Sequence, residues 1–261
     1  MTPEPTRRTP PLRRMHIRSL APNVLTMLAL CAGLTAIRFA LSERWELAVY
    51  AIVLAGVFDG LDGTVARLLK STSRFGAELD SLSDVVAFGI APALILYLWS
   101  LNGITGLGWI ITLAFALTCA LRLARYNARL DDEDEPRRLS GFLTGVPAPV
   151  GAGLALVPMM LEFQFGTDLL RTTPLAIAIY TACVGFLMIS TFATYSWKGL
   201  VVRREFLVPV MLFVGLFATL LTIYPWAVML LCAAAYLVSI PMAMSRYRRR
   251  RLQRHGDGEA A

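Results

Sequence analysis

Four aspartates stand in a part of the sequence that is otherwise strongly apolar. The stretch FDGLDGTVARLLKSTSRFGAELDSLSD, residues 58–84, carries Asp59, Asp62, Asp80 and Asp84 between two long hydrophobic runs. A single carboxylate at the centre of a transmembrane helix costs about 2.5–3.5 kcal/mol, even on the insertion scales that give the lowest cost. Four of them so close together therefore indicate a functional site.

The residue types predict which chemistry this site performs. Closely packed carboxylates repel one another unless a cation lies among them. Aspartate oxygens favour a hard ion, Mg²⁺ or Mn²⁺, with Ca²⁺ as an alternative, over zinc. Four carboxylates suffice for two ions about 3.5–4 Å apart, which stabilise phosphoryl oxygens during a displacement. Gly63 and Gly76 leave the backbone accessible to a bulky ligand, and the Arg67 guanidinium suits a phosphate. We therefore expect metal-dependent phosphoryl transfer on a substrate in the membrane.

Two helices must position these side chains. At 100° per residue, one arc of about 140° on the first helix carries five of them: Asp59, Asp62, Gly63, Ala66 and Arg67. Asp80 and Asp84 are spaced i, i+4, so they project together from the next helix. The connection KSTSRFG is short enough to make the two helices antiparallel neighbours. The acids are expected to line a cleft that opens to the cytoplasm and reaches toward the middle of the membrane.

The same acids have an alternative interpretation. They would also serve an ion-coupled transporter as a proton or cation pathway. Pairing with arginines would instead lock the fold, and the candidates are Arg67, Arg74, Arg122 and Arg125. A pathway more naturally spreads its acids along several spans, whereas these cluster on two adjacent helices near one face. The enzyme interpretation is therefore favoured, and the transporter remains the alternative.

The composition is that of a membrane protein. The chain has 261 residues, of which 56% are hydrophobic and 16% charged, and its mean hydropathy is +0.60. Its apolar runs predict an all-helical bundle of about eight spans, six core and two C-terminal: 20–41, 46–69, 78–101, 105–126, 147–163, 172–196, 206–224 and 226–245. The predicted transmembrane domain, 19–245, lies between a basic tail with an interfacial helix, 1–18, and a second basic tail, 246–261.

Charge predicts the orientation of the bundle. Arginine and lysine concentrate in both tails and in the connections after the second, fourth and sixth spans, which places both termini in the cytoplasm. The net charge of +7 is then a topology signal and an attraction to anionic lipid, and we predict no nucleic-acid partner. The acidic cluster at 131–135 is interpreted as a solvated loop. His16 and His255 lie in the tails, so chemistry in the membrane-embedded body must proceed without imidazole.

The aspartate pattern resembles the signature of the CDP-alcohol phosphatidyltransferase family. The sequence reads D-x-x-D-G-x-x-A-R from residue 59, then eight residues, then G-x-x-x-D-x-x-x-D to residue 84. The resemblance implies that a cytidine-diphosphate lipid donates its phosphatidyl group to an alcohol and releases CMP, and that the enzyme is a homodimer. It implies that Asp59, Asp62 and Asp80 bind two ions, while Asp84 completes the metal set and acts as general base. The residues implied in binding the cytidine diphosphate are Asp62, Gly63, Ala66, Arg67 and Gly76.

Further segments resemble the phosphatidylserine synthase branch of that family: residues 58–92, 121–127, 141–149 and 194–199. The resemblance implies CDP-diacylglycerol as donor, L-serine as acceptor and phosphatidylserine as product, in the cytoplasmic membrane of a prokaryote with the site facing the cytoplasm. Glycerol 3-phosphate, inositol phosphate and choline remain alternative acceptors. A serine carboxylate needs a cation near the cleft, and Arg122 and Arg125 are the candidates.

Overall fold

The computed structural model describes residues 20–69, 71, 73–128, 142–190, 193–195 and 207–240. Both basic tails, the acidic cluster at 131–135 and the basic connections at 129–138 and 198–204 lie outside the described residues. The orientation of the bundle depends mainly on those segments, so the cytoplasmic location of both termini stays a prediction.

The described residues are mainly helical. The elements follow in the order α1 (Leu20–Leu41), α2 (Trp45–Leu68), α3 (Arg74–Asp84), a π-helical turn (Val85–Ile90), α4 (Ala91–Trp99), a short 3₁₀ turn (Leu101–Gly103), α5 (Leu107–Ala128), β1 (Phe142–Thr144), α6 (Ala148–Ala155), α7 (Val157–Phe165), α8 (Pro174–Ile189), β2 (Ala193–Tyr195), α9 (Leu207–Ile223) and α10 (Pro225–Ile240). The predicted all-helical class is confirmed for the body of the protein. The strands β1 and β2 form a small antiparallel ribbon that pairs Phe142 with Tyr195, which the sequence analysis did not predict.

Four helical segments are long and apolar enough to cross a membrane: α1, α2, the continuous segment from α3 to α4, and α5. They confirm the first four predicted spans, with ends shifted by up to four residues. Counting each bent helix pair as one span raises the number of candidate spans in the described residues to six. The count of eight is therefore not confirmed.

The fifth predicted span is broken in the structure. Helices α6 and α7 meet at an angle of 43°, because Pro158 cannot donate a hydrogen bond to the carbonyl of Leu154 four residues earlier. The Tyr180 hydroxyl of α8 donates to that carbonyl at 2.7 Å. Helix α8 itself has 16 residues, fewer than the roughly 20 that a perpendicular span requires.

The third span is not a uniform α-helix. Val85–Ile90 form a π-helical turn, and the N–H of Ala91 donates to the carbonyl of Val86, five residues earlier. Pro92, which follows directly, has no N–H to donate. Turns of this kind often occur at functional sites, and this one begins immediately after Asp84.

Small side chains let the helices approach closely around the π-helical turn. Helix α1 packs against α2, α3 and α4, and its buried face includes Ala29 and Ala36. A Cβ on Gly33 would lie 2.7 Å from the Cα of Ala87 in the turn, so this approach requires a residue without a side chain. Helix α1 is thereby held against both helices that carry the aspartates.

A separate polar cluster holds the far end of the bundle, at the start of α2. The buried Glu162 carboxylate accepts a hydrogen bond from the backbone N–H of Arg171 at 2.6 Å. The Arg171 side chain donates to the carbonyl of Trp99 at 3.2 Å and lies 5.3 Å from the centre of the Trp45 ring. This cluster fixes the end of α2 opposite to the aspartates.

Candidate active site

Two neighbouring helices bring three of the four aspartates together. Asp59 and Asp62 lie in the second half of α2, and Asp80 lies in α3. One carboxylate oxygen from each of these three residues lies within 4.8 Å of the other two. Asp62 is buried, with 5% of its surface exposed, and Asp59 and Asp80 are half-buried. We call these three residues the aspartate triad.

Asp84 lies outside this triad but beside it. Its carboxyl group is in side-chain hydrogen-bond contact with Asp59, one helical turn beyond Asp80. It also interacts electrostatically with Arg122 of α5. The structure therefore places the fourth aspartate near both the triad and a cation.

The start of α3 sets the position of the two later aspartates. Ser73 is the N-cap residue, and its hydroxyl oxygen accepts a hydrogen bond from the N–H of Gly76 at 3.0 Å. A Cβ on Gly76 would lie 2.9 Å from Oδ1 of Asn23, so the glycine lets α3 begin against α1. Asp80 and Asp84 follow one and two turns later, and both face α2.

A cavity of about 140 Å³ opens beside the triad. Its lining comes from α1, α2 and the start of α3: Pro22, Asn23, Thr26, Asp62, Gly63, Ala66, Ser71, Ser73, Gly76, Ala77 and Asp80. The structure thus brings together four of the five residues implied in cytidine-diphosphate binding. Among the described residues, none has an atom within 4 Å of where a Cβ on Gly63 would lie, so that glycine faces open space.

Arg67 is the fifth of those residues, and it does not line the cavity as the described residues define it. Its side chain is exposed on α2 and donates a hydrogen bond to the Thr64 hydroxyl at 3.4 Å. Arg67 can therefore contact only a part of a ligand that lies outside the cavity.

The aspartate triad fits a hard divalent cation. Its donors are carboxylate oxygens only, which Mg²⁺ and Mn²⁺ prefer. Oδ1 of Asp80 is buried and has no hydrogen-bond partner among the described residues, and a buried carboxylate oxygen without a partner is costly unless a cation serves it. The three oxygens lie within 4.8 Å of one another, whereas ligands of one Mg²⁺ lie about 2.9 Å apart when adjacent and about 4.2 Å apart when opposite. The triad can therefore hold a metal ion after a small adjustment.

The two arginines proposed from the sequence for the acceptor occupy different environments. Arg122 points toward Asp84, and its Nε is buried without a hydrogen-bond partner among the residues described. Arg125 is exposed, and its guanidinium donates to the carbonyl of Ile189 at 2.8 Å. Of the two, Arg122 lies at the aspartates.

The sequence analysis missed the contribution of α1 to this site. Asn23 and Thr26 are buried, and the Thr26 hydroxyl donates a hydrogen bond to Oδ2 of Asp62 at 2.6 Å. The spacing of Asn23 and Thr26, two polar residues i, i+3 near one end of an apolar run, was the only available signal. Nothing in that spacing indicated which partner they meet.

The fold and the site together define a polytopic membrane protein with carboxylates buried beside a cavity between its helices. A sequence model described as CDP-alcohol phosphatidyltransferase matches residues 19–184. A second, described as CDP-alcohol phosphatidyltransferase 2, matches residues 205–241. The chain belongs to the CDP-alcohol phosphatidyltransferase family, as its aspartate signature indicated.

Several curated relatives carry the name CDP-diacylglycerol–serine O-phosphatidyltransferase. The protein of that name from Mycobacterium leprae (strain TN) is 36% identical over 239 residues, which are 92% of this chain and 79% of the relative. The protein from Helicobacter pylori (strain ATCC 700392 / 26695) is 32% identical over 197 residues, 76% of this chain and 81% of the relative. The protein from Bacillus subtilis (strain 168) is 32% identical over 169 residues, 65% of this chain and 86% of the relative.

Proposed function

We propose that this protein transfers the phosphatidyl group of CDP-diacylglycerol to L-serine and releases phosphatidylserine and CMP. The observation that carries the proposal is the aspartate triad beside a cavity lined by Gly63, Ala66 and Gly76. The names of the relatives support serine as the acceptor. Glycerol 3-phosphate, inositol phosphate and choline have no comparable support.

The reaction is a single displacement at the phosphorus atom that bears the lipid. The serine hydroxyl oxygen forms a bond to that phosphorus, and the bond from the same phosphorus to the bridging oxygen of the diphosphate breaks. CMP leaves with the bridging oxygen and its electron pair. The hydroxyl proton passes to the carboxylate of Asp84, which lies beside the triad and is the base in this proposal.

Asp59, Asp62 and Asp80 would hold Mg²⁺ or Mn²⁺, and we propose two ions, with Asp84 completing their ligand set. Bound metal offsets negative charge on the transferring phosphate and on the leaving CMP. The protein itself positions the ligands: Asp62 is buried and hydrogen-bonded. Oδ1 of Asp80 has no hydrogen-bond partner among the described residues and is therefore available to a metal ion.

The donor nucleotide is assigned to the cavity. Asp62, Gly63, Ala66 and Gly76 line it, and a glycine that faces open space permits the backbone to approach a phosphate or a ribose. Arg67 would contact the diphosphate outside the cavity, with the fork that guanidinium groups present to phosphate oxygens.

The acceptor is assigned to the side of Asp84 that faces α5. Arg122 carries the positive charge there. Its buried Nε has no hydrogen-bond partner in the part of the chain that the structure describes, which favours binding of a carboxylate. This observation supports Arg122 over Arg125, whose guanidinium already donates to a backbone carbonyl.

We place this enzyme in the cytoplasmic membrane of a prokaryote, with the site facing the cytoplasm and with a homodimer as its assembly. The named relatives are all bacterial, and the predicted orientation follows the distribution of arginine. The domain limits that we propose are 19–245 for the transmembrane domain, with basic tails at 1–18 and 246–261.

A detergent-micelle assay tests the function. Purified protein is incubated with CDP-diacylglycerol, Mg²⁺ or Mn²⁺ and one alcohol per reaction, and both CMP and the lipid product are measured. We expect CMP and phosphatidylserine with serine alone, and loss of both with EDTA. CMP release with a different alcohol would identify that alcohol, rather than serine, as the acceptor. No CMP release with any alcohol would reject the proposal.

A further inference from the structure

A short hydrogen bond at the site comes from a helix that carries none of the signature residues. The hydroxyl of Thr26 in α1 donates to Oδ2 of Asp62 in α2 at 2.6 Å. Both residues are buried, with 4% and 5% of their surfaces exposed. A separation of 2.6 Å is within the range of hydrogen bonds from a hydroxyl to an ionised carboxylate, which are about twice as strong as neutral ones.

Thr26 is itself held in place from two directions. Its hydroxyl oxygen lies 3.1 Å from the carbonyl oxygen of Pro22 in its own helix. Its backbone carbonyl accepts a hydrogen bond from the Ser83 hydroxyl of α3 at 3.1 Å. Because a hydroxyl has one proton, the shorter, charge-assisted contact with Asp62 is the one that the proton serves. The chain from Ser83 through Thr26 to Asp62 connects all three helices of the site.

We propose that Thr26 is a positioning residue that orients the Asp62 carboxylate for metal binding. This inference rests on the proposed function, in which Asp62 is a metal ligand. The hydrogen bond from Thr26 to Oδ2 fixes the rotation of the carboxylate, which also accepts a hydrogen bond from the backbone of Gly63, and the remaining lone pairs of its two oxygens are available to a metal ion. Hydrogen-bond partners of this kind set ligand orientation, and their loss typically costs 10–100-fold in metal affinity.

The test measures Mn²⁺ binding by electron paramagnetic resonance, which separates free from bound Mn²⁺ without turnover. Thr26→Val keeps the branched shape and removes the hydroxyl, and we expect Mn²⁺ to bind about tenfold more weakly. Thr26→Ser restores the hydroxyl, and we expect affinity within about twofold of the unaltered protein. The rescue by serine separates positioning from packing.

Thr35→Val is the matched control. Thr35 lies in the same helix, and its hydroxyl donates to the carbonyl of Cys31 one turn earlier, at 2.6 Å. The substitution therefore removes a hydroxyl from α1 at a distance from the aspartates, and we expect unchanged Mn²⁺ affinity. Thermal unfolding and gel filtration in micelles establish that each variant is folded. If Thr26→Val does not fold, Thr26→Ala carries the same expectation.

Unchanged Mn²⁺ affinity in folded Thr26→Val, or a serine variant as weak as the valine variant, would overturn the inference. Failure of the unaltered chain to bind Mn²⁺ would overturn it as well. The two proposals remain distinguishable, because the proposed function fails if the unaltered protein binds Mn²⁺ but makes no phosphatidylserine. The positioning role alone fails if phosphatidylserine is made and Thr26→Val binds Mn²⁺ normally.

Discussion

Asp80→Asn should stabilise the metal-free protein while it removes metal binding. The triad oxygens lie within 4.8 Å of one another, and two unit charges at that distance repel by about 3.5 kcal/mol at an effective dielectric constant of about 20. Asparagine has nearly the same shape and no charge. Removing one of three neighbouring charges therefore relieves at most a few kcal/mol in the absence of metal, and less where repulsion makes a carboxylate take up a proton.

The effect reverses when metal is present. An ion at 100 times its dissociation constant stabilises the folded state by about 2.7 kcal/mol. The variant loses this stabilisation because asparagine has no negative charge and has an NH₂ group in place of one carboxylate oxygen. Transfer activity should fall by at least about 100-fold, since metal stabilisation of the transition state is worth several kcal/mol. A stabilising substitution that abolishes activity is the expected signature of a metal ligand in a carboxylate cluster.

The assay compares unfolding midpoints in micelles with EDTA and with Mg²⁺ or Mn²⁺, alongside CMP release. With EDTA, the Asp80→Asn midpoint should lie several degrees above that of the unaltered protein, at about 2–4 °C per kcal/mol. Addition of metal should raise only the midpoint of the unaltered protein. Glu78→Gln, an exposed residue of the same helix outside the triad, is the control and should change neither result. A lower midpoint for Asp80→Asn in EDTA, or a metal-dependent shift that persists, would refute the reasoning.

Three further variants separate the other parts of the site. Asp84→Asn should abolish transfer and largely spare donor binding, measured by CDP-diacylglycerol titration, because Asp84 lies outside the triad; normal turnover would remove it as the base. Gly63→Ala should weaken donor binding several-fold, because the added Cβ enters open space at the cavity. Gly60→Ala, on the same helix and away from the cavity lining, is the control and should leave donor binding unchanged. Equal effects of the two substitutions would count against the assignment of the nucleotide to the cavity. Arg122→Gln should raise the KM for serine at least tenfold with little change in the KM for CDP-diacylglycerol. Arg125→Gln should have a small effect on both KM values. A larger rise in the KM for serine with Arg125→Gln would assign acceptor binding to Arg125 instead.

The part of the site that could be predicted from the sequence is the part that lies within single helices. The spacing of Asp59 with Asp62, and of Asp80 with Asp84, fixes which residues share a helix face. A short connection then brings the two faces together. Four long spans followed from hydropathy for the same reason, because length and apolarity are local properties.

The parts that could not be predicted depend on contacts between distant segments. Thr26 meets Asp62 across 36 positions of sequence, and no periodicity encodes that meeting. The π-helical turn after Asp84 depends on Pro92 and on the close packing of Ala87 against Gly33. Hydropathy predicts eight spans, of which the described residues support up to six, and it detects an apolar run at 147–163 without detecting the bend that Pro158 introduces.

The C-terminal helix α10 is connected to the site as well as to the bundle. Trp226 of α10 stacks near Tyr50, with ring centres 4.8 Å apart, and Ile240 at the other end of α10 is buried in the core. Between them, Tyr236 interacts electrostatically with Arg122, the same arginine that lies beside Asp84. Helix α10 therefore packs along the bundle so that a side chain from it stands near the aspartates.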